Sequence, residues 1–183
     1  MRRLRNRIAV ATAAFVGSIV MSPAPGFSQT ANPLTDSARV QFDMIKGNLS
    51  KTAAKVPEDL YAFKATPEVR SIGQIIGHVV DANFSICAVA AGEKAPQGGF
   101  EKGKTSKADL SKGLNDSIAY CDTVIAAMDD KKGLETVRFI GGPTPKISVL
   151  FFNIGHCNEH YGNLVTYMRL KGIVPPSSEK QSD

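Results

Sequence analysis

Apolar residues recur at three- and four-residue steps in four stretches of the chain, the period of an α-helix with one buried face. The first stretch opens at Asn32-Pro33, carries Leu34, Ala38, Phe42, Ile45, Leu49 and Ala53 on one side, and stops at Val56-Pro57. Residues 57–65 read as a loop whose Tyr61 and Phe63 cover one end of a bundle. Thr66-Pro67-Glu68 predicts the next start, with Thr66 as cap and Pro67 in the first turn, where its missing N–H costs nothing. Ile72, Ile75, Ile76, Val79, Ala82, Ile86 and Val89 form the second apolar face, and Ala91-Gly92 offers a C-cap.

Residues 93–105 are a polar link rich in glycine and lysine. Such a link reaches up to about 40 Å, enough to return along a helix of about 25 residues, which spans about 37 Å. The second and third helices are therefore expected to run parallel, since antiparallel neighbours are joined by shorter links. Ser106-Lys107-Ala108-Asp109 resembles a capping box with Asp in the acidic place, and Leu110, Leu114, Ser117, Cys121, Val124, Ile125 and Met128 follow. Lys131 to Pro143 reads as a second loop. Thr144-Pro145 repeats the Thr-Pro start, and Ile147, Leu150, Phe151, Ile154, Tyr161, Leu164, Val165 and Met168 carry the fourth face. Gly172 and Pro175-Pro176 stop it, and the polar tail from Ser177 is expected to be disordered. The pattern is that of an all-α four-helix bundle, without an internal repeat, a Rossmann fingerprint, a phosphate loop or a nucleophile elbow.

The ends and the composition alter this picture in two ways. Arg2, Arg3, Arg5 and Arg7 precede an apolar run from Ile8 to Met21, and Gly26 and Ser28 supply small residues ahead of Gln29. That is the layout of a secretory signal peptide over residues 1–28; an uncleaved anchor would ask for a longer apolar run. Cleavage would lower Lys+Arg from 22 to 18 against 17 Asp+Glu, taking the formal charge from +5 to +1. A nearly neutral domain over residues 29–183, exported to the periplasm or secreted, has no electrostatic case for nucleic acid and no membrane anchor. Its length suits one core. Exposed helix faces leave room for a homodimer. Cys87, Cys121 and Cys157 permit one intramolecular disulfide or serve as three buried small hydrophobes. Parallel second and third helices would bring Cys87 and Cys121 to similar depth.

Only three histidines occur, and two of them, His156 and His160, stand four apart on the fourth helix. That spacing means about 40° of rotation and about 6 Å of rise, so both imidazoles leave one face. His78 lies near the middle of the second helix. Were these two helices antiparallel neighbours, all three would meet at mid-bundle. Three imidazoles can hold a divalent transition metal with a coordination position left open; a buried histidine bonded to a carbonyl is the plainer reading. Gly77, Gly155 and Gly162 stand beside the histidines. Glycine costs a helix about 1 kcal/mol relative to alanine, so its recurrence suggests close backbone approach or eased packing.

The stretch Thr66-Pro67-Glu68-Val69-Arg70-Ser71-Ile72-Gly73-Gln74-Ile75-Ile76-Gly77-His78, with Gly155-His156-Cys157-Asn158-Glu159-His160-Tyr161-Gly162 and its flanks through Pro176, resembles the DinB family over roughly residues 35–178. The resemblance implies an up-down-down-up bundle with a long link between the second and third helices. It also implies a divalent ion on His78, His156 and His160. Related proteins include thiol transferases and thiol-dependent isomerases, and others have no assigned activity. Zinc or nickel, and after them iron or manganese, suit three imidazoles. Asp81, Asn153 and Asn163 each lie a turn from a histidine and are candidates to hold its second ring nitrogen. Glu159 and Cys157 are rotated away from the neighbouring histidine and read as surface and core residues, and Lys102, Lys104, Lys107 and Lys112 as a solvated loop and helix start. No general base or nucleophile stands out. The expected functions are a metal-dependent hydrolase or thiol transferase, or a non-catalytic metal- or ligand-binding module of the cell envelope, or a bundle keeping its histidines for packing.

Overall fold

Capping chemistry decides where the long helices begin. A computed structural model describes residues 31–180, so the signal-peptide reading of residues 1–28 lies outside the described residues. Helix α1 spans Pro33–Lys55. Its first turn is capped from a distance: the Asp130 carboxylate accepts from the backbone N–H of Leu34 and Thr35 and from the Thr35 hydroxyl, at 2.8 to 3.1 Å. Helix α2 spans Ile72–Ala91 and starts later than the Thr-Pro signal predicts. Ser71 caps it and Gln74 completes a capping box, so residues 66–70 stay outside the helix. Gly92, at φ 78°, closes the other end in the left-handed conformation expected of a C-cap glycine.

The link between the second and third apolar stretches is not featureless. It contains a short helix α3, Phe100–Gly103, pinned because Asp81 of α2 accepts from the N–H groups of Phe100 (2.9 Å) and Glu101 (3.0 Å). Helix α4 spans Lys107–Ala126 and is capped by Ser106. The expected loop after it holds a short helix α5, Asp130–Gly133, and a hairpin of β1, Thr136–Phe139, and β2, Gly142–Pro145. The hairpin makes the chain mostly helical rather than purely so. Thr144-Pro145 therefore ends a strand, and α6 runs from Lys146 to Leu170.

Helix α1 packs on α4 and α6, and α2 packs on the same two. Along α2 and α4, Asn83 meets Ser117 and Cys87 meets Cys121, contacts that advance in the same direction. The Cys87–Cys121 disulfide, with Cα atoms 5.4 Å apart, is the pair anticipated from depth. Phe42, Ile72, Ile76, Phe84, Leu110, Leu114, Leu150, Leu164 and Met168 fill the space between the four long helices. Tyr61 covers one end as expected, buried and donating its hydroxyl to the Ala53 carbonyl at 2.8 Å. The tail is less free than its composition implies. Ser177 exchanges two hydrogen bonds with the Tyr161 hydroxyl, and Glu179 pairs with Lys55 at 2.6 Å.

Candidate metal centre

Helices α2 and α6 bring the three histidines together. His78 Nε2 lies 3.1 Å from His156 Nε2, which lies 3.0 Å from His160 Nε2. One nitrogen from each ring falls within 4.8 Å of the other two. Tetrahedral ligands about 2.0 Å from one zinc ion stand about 3.3 Å apart, so this triangle is of the right size for a single ion.

The protonation chemistry suits a cation. His78 Nδ1 is 2.8 Å from Glu101 Oε2, so a neutral ring carries its hydrogen on Nδ1, donates it to that carboxylate and turns the Nε2 lone pair toward the other histidines. Glu101 is in turn held by Arg70 Nε at 2.8 Å. Burial pushes the Glu101 carboxyl up, but the hydrogen bonds from Arg70 and His78 outweigh it and hold the group below its ordinary range. His156 is pushed down to about 4 by burial and then by His160 and His78, and His160 is lowered by burial and then by His78. Both rings are therefore neutral at physiological pH, the form that ligates metal. With His78 Nε2 as acceptor, a single hydrogen on His156 Nε2 serves only one neighbour, so the three rings cannot satisfy one another along this edge. A shared ion uses all three lone pairs.

The candidates for holding second ring nitrogens are placed elsewhere. Asp81 holds α3 and thereby sets Glu101, the residue that does contact His78. Asn153 is turned into the core, donating to Asn83 Oδ1 at 3.0 Å. Asn163 is exposed beside His160. Among the described residues, none pairs with the buried Nδ1 of His156 or of His160. Glu159 is exposed, as its rotation implied. Cys157 is buried away from the triangle with its thiol on Asn83 Oδ1 at 3.3 Å, and burial pushes that thiol up to about 12. Sequence reasoning missed Glu101 and Arg70. The charged pair of link and pre-helix residue gave no periodic signal; the Asp81 anchor brings Glu101 to the site, and Arg70 stands just ahead of α2 with its carbonyl held by Tyr167.

Gly77 is the glycine that close approach requires. A Cβ there would lie 2.8 Å from Glu101 Cα and N. Gly155 and Gly162 have nothing within 4 Å of such an atom, so the expectation fails at those two positions.

A family model described as the DinB superfamily matches residues 41–164. No curated protein matches the chain. A crystal structure of a DinB-like protein from Bacillus cereus aligns with a TM-score of 0.67 at 19% identity, over 77% of this chain and 95% of that one. A mutant of mycothiol-dependent maleylpyruvate isomerase aligns with a TM-score of 0.59 at 12% identity, over 71% of this chain and 60% of the isomerase. At such identities the two structures establish a shared fold and nothing of chemistry. The family match spans most of the residues that build the four long helices and includes all three histidines; the chain belongs to the DinB superfamily.

Proposed function

We propose that this protein is an exported metal-binding member of its superfamily. In this reading His78, His156 and His160 hold one divalent ion, and the metal serves a hydrolase or thiol-transferase reaction. The observation that carries the reading is the convergence of three Nε2 atoms, with the His78 tautomer set by Glu101. The parallel advance of α2–α4 contacts, and contacts with α6 made by His78 of α2 (to His156) and by Arg70 just ahead of α2 (to Tyr167), support an up-down-down-up bundle. The Cys87–Cys121 disulfide supports an oxidising compartment, hence the periplasm or the exterior. A bound ion would lower the pKa of a water or thiol and polarise a carbonyl. Zinc and nickel suit the donors first, iron and manganese next. The thiol dependence named for the isomerase brings thiol transfer beside hydrolysis as a reaction class.

A second reading, a non-catalytic metal- or ligand-binding module, draws on a specific observation. Glu101 is engaged by Arg70 and His78, and Glu159 is exposed, so neither carboxylate is poised as a base. Elemental analysis of mature protein purified without a polyhistidine tag is expected to give stoichiometric metal, lost in His156→Ala. Metal-free wild type would remove the metal from both readings and leave only a ligand-binding module. Turnover of model esters or thiol acceptors that stops on chelation would select the enzyme.

A further inference from the structure

The two flanks of the histidine triangle differ in chemistry. On one side a cavity of about 520 Å³ opens against His160, lined also by Arg70, Asn163, Tyr167 and Glu68. Arg70 spends its Nε on Glu101, and its Nη2 lies 3.5 Å from His78 Nδ1. That nitrogen's hydrogen is already directed at Glu101, so it offers the guanidinium no lone pair. The Arg70 side chain is 44% exposed and lines the cavity, so the Nη donors are open to an approaching anion. Tyr167 fixes the segment beneath them, its hydroxyl donating to the Arg70 carbonyl at 3.0 Å. Bidentate donation to a carboxylate is a task that the two Nη groups of a guanidinium perform well, even with Nε engaged by Glu101.

On the other side the triangle meets an apolar wall. The Phe152 ring lies 6.5 Å from the His156 ring and nearly parallel to it, and Phe139 of β1 packs edge-on against Phe152 at 5.1 Å. Phe152 is 43% exposed, an uncommon position for a large aromatic residue of a core-lining helix. The hairpin tip continues this character. Ile140 has φ 39° and Gly141 φ 87°, the two left-handed positions of a turn that ordinarily selects Asn-Gly. A β-branched residue there is strained, and its side chain is 72% exposed. Turn chemistry does not explain that isoleucine, which adds exposed apolar surface to the hairpin that carries Phe139.

We propose that the centre takes an amphipathic organic anion. Its carboxylate lies on Arg70, its aromatic or branched apolar end lies against Phe152 and Phe139, and the group to be acted on sits between them at the histidines. This rests on the metal reading for the reacting group, but not for the two flanks. The substrate class therefore excludes neutral sugars and cations. Glu68 on the cavity wall opposes the anion and weakens it without supplying the selectivity.

The test is calorimetric binding of butanoate and phenylbutanoate to the full mature protein, metal-loaded and metal-free, with metal content measured for every variant. Wild type is expected to bind phenylbutanoate at least about tenfold more tightly than butanoate, the scale of one well-placed aromatic contact. Arg70→Met should weaken both probes by about tenfold, the loss of a charge-assisted pair, in the metal-free protein as well. Phe152→Ala should erase the difference between probes and leave butanoate unchanged. Glu68→Gln should tighten both. All three substituted residues are exposed, and far-UV circular dichroism checks that each variant keeps its fold. Wild-type affinity in Arg70→Met, or an intact preference in Phe152→Ala, would overturn the proposal even with stoichiometric metal present. Absence of metal alongside the expected anion pattern would overturn the metal reading alone.

Discussion

At the scale of single residues, the three histidines were readable because they are so few and because two stand one helical turn apart. Glu101 was not readable. Its contact with His78 depends on Asp81 folding a link segment against α2, which no local pattern announces. A carboxylate behind a metal ligand typically contributes a factor of about 10 to 100 in metal affinity. Glu101→Gln is therefore expected to weaken metal binding within that range, measured by chelator competition, while Glu159→Gln leaves it unchanged. The depressed histidines also set a pH dependence. His156 binds protons near 4 when folded and near its ordinary 6.5 when unfolded, so between those values the unfolded chain holds more protons. The contribution is fully present above about pH 6.5 and is lost as pH falls toward 4. His160 acts in the same direction. Metal-free protein should therefore melt at lower temperature at pH 5 than at pH 7.5, and equal melting temperatures would contradict the neutral-imidazole assignment.

At the scale of elements, periodicity located all four long helices, and errors gathered at their starts. Thr66-Pro67 carries a genuine start signal, yet Ser71 and Gln74 satisfy two backbone donors reciprocally and win. The second Thr-Pro pair closes a strand instead, because residues 136–145 pair into a hairpin whose short strands show too little alternation to announce themselves. The glycines separate by tertiary contact, which their identical sequence setting conceals. Gly77→Ala should destabilise the fold by about 1–3 kcal/mol, because its methyl meets α3 backbone that cannot rotate away. It should also weaken metal binding by moving Glu101. Gly155→Ala and Gly162→Ala should be neutral or stabilise by up to about 1 kcal/mol. Chemical denaturation of the three variants checks the ordering.

At the scale of the whole molecule, one covalent staple joins the two helices that run alongside each other. Cys87 and Cys121 enclose a loop set by a sequence separation of 34, for which chain-entropy arguments give about 3–4 kcal/mol. The Cys87→Ala/Cys121→Ala double variant is expected to lose about that much stability in denaturant titration while retaining metal. A loss of metal at full folding would mean that the staple also sets the α2–α6 register. The α2–α4 contacts at Asn83–Ser117 and Cys87–Cys121 advance in the direction that the link length led one to expect, because a short connection cannot carry the chain back along a helix.

Cys157 remains. With its two companions locked together, it is the one free thiol among the described residues, sealed between α2 and α6. A modifying reagent cannot reach it until those helices part. The rate at which the protein is labelled is then a clock for the bundle's breathing, supplied by the native chain without an engineered probe. An ion bridging the same two helices would slow that clock, so labelling kinetics report occupancy of the centre from a residue that never touches it.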